Sequence, residues 1–147
     1  MKRNLITIHN SVFISKPRGV VWDFTQNYDY RHKWDSTVLN AKVIQSAPRT
    51  VRLKMTGRTE MTFVYKLDER PHKTTLAAKD VSSSFIETAG GSWLYEEKDN
   101  GTQWTLTNTV VLKENALLTL LLPLYSWAFK QQVKKAMKKA KLLIEAG

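Results

Sequence analysis

From residue 116 to residue 145, apolar side chains recur every three or four positions. Leu118, Leu122, Tyr125, Phe129, Val133, Ala136, Ala140 and Leu143 form one stripe at helical period. This stripe constrains the fold more than any other feature. About 30 helical residues extend about 45 Å at about 1.5 Å each, long enough to cross a whole small sheet. Asn115 can cap the start, because its side chain can accept from the free N–H groups of the first turn. Pro123 cannot donate to the carbonyl of Thr119, so the periodicity predicts a kink or a late helix start there. The apolar run from Ala116 to Phe129 falls short of the roughly 20 residues that span a bilayer.

Residues 37–112 read as strand after strand. "TVLNAKVIQ" meets "TVRLKMTG" across a turn, and Met61, Phe63, Tyr65 and Leu67 alternate along "EMTFVYKLDE". "TTLAAKD" and "SSSFIETAG" read as two weaker strands. "GSWLYEEK" and "TQWTLTNTVVL" flank Asp99-Asn100-Gly101, a strong hairpin signal. Upstream, residues 3–14 keep Ile6, Ile8, Val12 and Ile14 on one parity. Pro17 then opens a short helix with Val20, Val21 and Phe24 at helical spacing, and "YDYRHKWD" gives a second short helical or looped piece. The predicted class is α+β: a curved antiparallel sheet of about seven strands, two short helices after the first, and a long C-terminal helix against the concave face.

A chain of 147 residues is expected to form one domain, residues 1–147. It has no cysteine, so disulfides and thiolate metal sites are excluded, and a cytoplasmic setting is expected. His9, Asn10 and Ser11 interrupt the apolar N-terminal run, which argues for a strand over a signal peptide. The net charge of +10 favours an anionic partner or surface.

The stretches "VFISKPRGVVWDFTQNYDYRHKW" and "GSWLYEEKDNGTQWTLTNTVVL", followed by the C-terminal helix, resemble the START-like group with the helix-grip fold, also called SRPBCC. That group includes the polyketide cyclase/dehydrase-like families and the birch-pollen-allergen-like proteins. The first stretch is similar to the group's strand, Pro, Val-Trp-x-Phe helix and later Trp, here Trp34. The second is similar to its late hairpin, with Gly101-Thr102 at the turn. The resemblance covers essentially the whole chain. It implies a cavity between sheet and long helix that holds a hydrophobic or amphipathic molecule such as a lipid, a polyketide or a quinone-like compound.

The candidate ligand-binding residues are Trp34, Phe63, Tyr65, Trp93, Tyr95, Trp104, Leu106 and Asn108, with Leu118, Leu122, Tyr125 and Phe129 facing back from the helix. Tyr and Trp suit such a place because the ring packs on a ligand while its O–H or N–H fixes a polar end. Solid core packing is the plain alternative for each. Should the cavity catalyse a cyclase/dehydratase-type reaction, Tyr65, Glu60 and Asn108, with Glu87 beside them, are the polar candidates. No catalytic residue is assigned, and no cofactor is expected. His32 and Asp35 stand three apart, a spacing that also arises by chance. His9, His32 and His72 lack metal-ligand spacing, so no metal is expected. Phosphate-cradling and nucleophile-elbow motifs are absent from the sequence.

Residues 115–147 hold six lysines, one acid and no arginine. On a helical projection the lysines occupy the half-turn opposite most of the apolar stripe. Lys130, Lys134, Lys138 and Lys141 therefore form either a solvated face or a docking face for an anionic membrane. Nucleic acid is not expected, because the face offers no arginine forks and reads as lacking exposed aromatics.

Overall fold

The first strand, β1 (Asn4–Ile14), alternates as its sequence does: Ile6, Ile8 and Ile14 are buried, while Leu5 points outward. The computed structural model describes residues 4–147, and Arg3, read as the start of this strand, lies outside them. After Pro17 come α1 (Arg18–Thr25) and α2 (Arg31–Trp34). Six strands follow: β2 (Val38–Ser46), β3 (Arg49–Met55), β4 (Thr59–Glu69), β5 (Lys73–Ser82), β6 (Ile86–Lys98) and β7 (Gly101–Leu112). They form one antiparallel sheet in the order β1-β7-β6-β5-β4-β3-β2, so β1 closes onto the last strand. The curved sheet and the C-terminal helix make an α+β helix-grip fold.

One detail differs from the sequence expectation. "SSSFIETAG" and "GSWLYEEK" are not separate strands; Ile86 to Lys98 runs as one strand through Gly90 and Gly91. The glycines punctuate the sequence, but here they serve curvature. A Cβ on Gly91 would lie 2.5 Å from the Thr107 carbonyl oxygen of β7, and one on Gly90 would lie 3.0 Å from that of Leu76 on β5. The neighbouring backbones come closer than side chains permit, which lets the sheet bend at this point.

The C-terminal helix is interrupted beside Pro123, in line with the kink or late start expected there. The Asn115 side chain accepts from the Leu117 and Leu118 amides and starts α3 (Ala116–Leu120). The chain then breaks at Leu121, and α4 (Leu122–Ala146) begins with Pro123 in its first turn, where a missing N–H costs nothing. Only the later part of α4 is buried, through Ala136, Met137, Ala140 and Ile144. These pack on Trp34, Trp93, Tyr95 and Trp104 in the main core.

The Asp99–Asn100 turn has both residues at positive φ (46° and 64°), as a tight hairpin between β6 and β7 requires. Gly91→Ala is expected to lower stability by about 1–3 kcal/mol through the backbone clash, read as a fall in the urea midpoint. The exposed Gly147→Ala should leave the midpoint unchanged.

Candidate functional site

The space between the sheet and α4 is not filled. A cavity of about 290 Å³ lies there, at the lower end of the roughly 300–1,000 Å³ common for small-molecule sites. Its sheet wall is largely carbon: Leu53 and Met55 from β3, Met61 and Phe63 from β4, Leu76 from β5, Trp93 from β6 and Leu106 from β7. Phe129, Gln132, Val133, Ala136 and Met137 of α4 form the opposite wall, with Phe85 from the β5–β6 connection and Ile86 from the start of β6. Strand alternation explains this lining, since every second residue of a strand shares the concave face.

One charged pair stands in the wall. Arg31 of α2 donates from Nε to Asp35 Oδ2 at 3.1 Å, and both side chains line the cavity while little exposed to solvent. The guanidinium carbon lies 4.6 Å from the Trp34 ring centroid and 4.9 Å from that of Trp93, so it is held between indole faces. Asp35 also accepts from the Thr37 amide at 3.1 Å and the Thr37 hydroxyl at 2.6 Å, and Gln132 Nε2 of α4 approaches at 3.5 Å. Burial alone would raise the Asp35 carboxyl. The Arg31 charge and the hydrogen bonds from Thr37 and Arg31 outweigh it and hold the group below the usual carboxylate range. Arg31 is likewise kept cationic: burial works against its charge, and Asp35 more than compensates.

A second polar group lies behind the lining. Tyr28, which touches the cavity, hydrogen-bonds the Tyr65 hydroxyl, and Tyr65 donates to Gln26 Oε1 at 3.0 Å. Arg49 donates to the same Oε1 at 2.7 Å and stacks 3.9 Å above the Tyr65 ring. Gln26 Nε2 in turn donates to the Tyr95 hydroxyl at 2.8 Å, which also bonds Thr25 at 2.7 Å. Burial raises the Tyr65 hydroxyl well above its ordinary value, so it stays protonated at neutral pH.

The expected site residues therefore separate. Trp34, Phe63, Trp93, Leu106, Asn108 and Phe129 line the cavity. Tyr65 and Tyr95 point inward but are buried behind it, fastened to the loop after α1 by their hydroxyls. Trp104 is fully buried beneath Trp34 and Trp93, with ring centroids 5.6 Å from each. Leu118 and Leu122 pack on the cluster of Ile6, Ile8 and Leu112 beside the cavity, and Tyr125 is 38% exposed. Along α4, residues line the cavity only from Phe129 onward.

Glu60 has the opposite parity to Met61 and pairs with Arg52 on the outer face, and Glu87 is exposed. Of the polar candidates only Asn108 reaches the cavity, and its amide nitrogen is buried without a hydrogen-bond partner among the described residues. His32 is exposed and does not pair with Asp35. The partner is Arg31, whose i,i+4 spacing within a short helical segment was the available signal. Tyr28 and Met137 were also missed; Met137 stands beside Ala136 in the stripe. Lys130, Lys134 and Lys138 are exposed, whereas Lys141 is bound to the Phe13 carbonyl at 2.6 Å and to Glu145.

Residues 6–145 match the profile of the family described as polyketide cyclase/dehydrase and lipid transport. The chain belongs to that family. No curated protein matches it by sequence. Among solved structures it is similar to a protein of Thermus thermophilus, with a TM-score of 0.81, 16% identity, and 95% and 97% of the two chains covered. It is also similar to the Zhui aromatase/cyclase of Streptomyces sp. R1128, with a TM-score of 0.80, 13% identity, and 96% and 94% covered. A START superfamily protein of Mycobacterium smegmatis superposes with a TM-score of 0.66 at 6% identity, over 87% and 94%. At these identities the structural likeness carries the fold alone, and the family match carries the family.

For this family member the buried pair is a testable constraint. Asp35→Asn strands the Arg31 cation and should cost about 3 kcal/mol in urea unfolding, whereas Arg31→Met with Asp35→Leu should recover most of the loss. Because the folded carboxyl is depressed, its contribution is present above the ordinary carboxylate value near 4 and is lost as pH falls through the folded value. The difference between wild type and Asp35→Asn should accordingly shrink below about pH 4.

Proposed function

We propose that the chain binds a hydrophobic or amphipathic small molecule, of lipid, polyketide or quinone-like character, in the cavity beneath α4. The observation that carries this reading is a largely carbon-lined space with one neutralised guanidinium and one unpartnered amide in its wall. Trp34, Phe63, Trp93, Leu106 and Phe129 hold the apolar body. The Arg31 hydrogen bond to Asp35 uses Nε and leaves the terminal nitrogens for an oxygen of the ligand, as does Asn108 Nδ2.

Energetics give these polar groups weight. Burying about ten methylenes is worth about 8 kcal/mol, and association costs at least about 4 kcal/mol. Carbon contact alone thus leaves affinity near millimolar, and hydrogen bonds at Arg31 and Asn108 bring it to micromolar.

Native mass spectrometry of the protein purified from its own host should show a bound apolar molecule, and a fluorescent fatty-acid probe should be displaced by lipid extract. Ala89→Phe, which places a ring in the cavity, should weaken probe binding at least about tenfold with an unchanged far-ultraviolet spectrum. Recovery of no ligand together with no probe binding would overturn the reading.

A cyclase/dehydratase-type activity in the same cavity is the second reading, favoured by the free Asn108 amide and by the fold shared with an aromatase/cyclase. Asp35 is held ionised and Arg31 cannot deprotonate, so the wall offers carbonyl polarisation rather than proton shuttling. That reading expects Asn108→Ala to lower turnover of a polyketide-like substrate at least about 100-fold, with binding of the fatty-acid probe changed far less.

A further inference from the structure

The outward face of the α3–α4 elbow is apolar where a solvated helix should be polar. Leu117 and Leu120 of α3 are 61% and 75% exposed, and Leu124 and Trp127 of α4 are 58% and 62% exposed. They are not the neglected side of a buried stripe, since Leu118 and Leu122 supply the inward contacts of the same segment. At about 100° per residue, Trp127 falls about 20° from both Lys134 and Lys138 on the helix projection. The lysine face therefore does carry an exposed aromatic, contrary to its reading in the sequence. On α4, Trp127 falls within about 60° of Leu124, Lys130, Lys134 and Lys138, which are exposed with it, and the exposed Leu117 and Leu120 of α3 immediately precede this face in the chain.

We propose that this face docks on an anionic lipid bilayer, with Leu117, Leu120, Leu124 and Trp127 entering the headgroup–acyl boundary and the lysines lying over the anionic headgroups. Charge complementarity selects this occupant. Residues 115–147 hold six lysines and a single acid besides the Glu114 that precedes them, Glu145, which is itself bonded to Ser15. A second copy of a chain with net charge +10 would set two lysine faces against each other. Nucleic acid would satisfy the lysines but leave four exposed apolar side chains without a partner, whereas an interfacial helix uses both at once. Tryptophan is also suited to this boundary, because its ring is apolar and its N–H is polar.

Docking does not depend on the cavity being a ligand site. If it is one, the arrangement has a use: Phe129 and Val133, which line the cavity, follow Trp127 on the same helix. A docked elbow would set the cavity wall within one or two turns of the lipid.

The test is co-sedimentation with phosphatidylcholine vesicles and with vesicles that also contain phosphatidylserine, with tryptophan quenching by brominated lipid as a second readout. Binding is expected only to the serine-containing vesicles, weakening as salt rises. Quenching is expected to be largely lost in Trp127→Phe. Combining Leu120→Ser, Leu124→Ser and Trp127→Ser should weaken binding at least about tenfold. Combining Lys130→Gln, Lys134→Gln and Lys138→Gln should do the same and abolish the salt effect.

Both sets of variants should still bind the fatty-acid probe, so loss of docking is read separately from loss of the cavity site. Three outcomes would overturn the proposal: no binding to either vesicle, tighter binding to a single-stranded oligonucleotide than to vesicles, or a salt-resistant dimer by light scattering that the leucine and tryptophan changes dissociate.

Discussion

The packing of the last half of α4 on a wall of aromatic rings sets the rest of the structure. Ala136 and Ala140 are small enough for the helix to approach closely, and Met137 and Ile144 fill the gaps beside them. The wall they meet is itself rigid. Trp34, Trp93 and Trp104 meet edge to face at centroid distances of 5.6–6.0 Å, and Tyr95 stacks on Trp104. Toward its other end α4 is less buried. The cavity lies beside that clamp of α4 on the rings, walled on the helix side by Phe129, Gln132, Val133, Ala136 and Met137.

Polar order around the cavity follows from the same clamp. Trp34 and Trp93 hold the Arg31 guanidinium between their faces, and the guanidinium fixes Asp35. Asp35 in turn touches Gln132 of α4, so α2 and the helix are joined by a charged link at the edge of the apolar space. The link is costly to form, because both ions leave water. It stands on an otherwise carbon-rich surface, and the cavity therefore has one polar direction. Tyr28, Tyr65, Gln26 and Arg49 continue that polar zone behind the lining and tie β3 and β4 to the loop after α1.

The architecture was legible because it is written in periodicity. Strand parity placed Phe63, Trp93 and Leu106 on the concave face, and the helical stripe placed Ala136 and Ala140. Asn-Gly at 100–101 and the cap at Asn115 are local signals that need no tertiary information. Site membership was less legible, because facing inward does not decide between core and cavity. Tyr65, Tyr95 and Trp104 share parity with lining residues yet lie deeper, where neighbouring elements cover them. Gly90 and Gly91 misled the division of β6 into two pieces, since a strand running closely against its neighbours carries the same residues as a turn. Arg31 was hidden in a segment that reads as polar surface, because its burial depends on Trp34 and Trp93 meeting around it.

The two halves of the C-terminal segment illustrate why one hydrophobic period can serve two ends. Along α4 the stripe gains burial toward the C-terminus, where alanines bring the backbone down onto tryptophan. Toward the N-terminus the side chains grow larger, and the helix is interrupted at Leu121. Leu118 and Leu122 can then cover Ile6, Ile8 and Leu112 without closing the cavity. Leu118 and Leu122 on the inner side and Leu117, Leu120 and Leu124 on the outer side thus divide one apolar segment between core and surface.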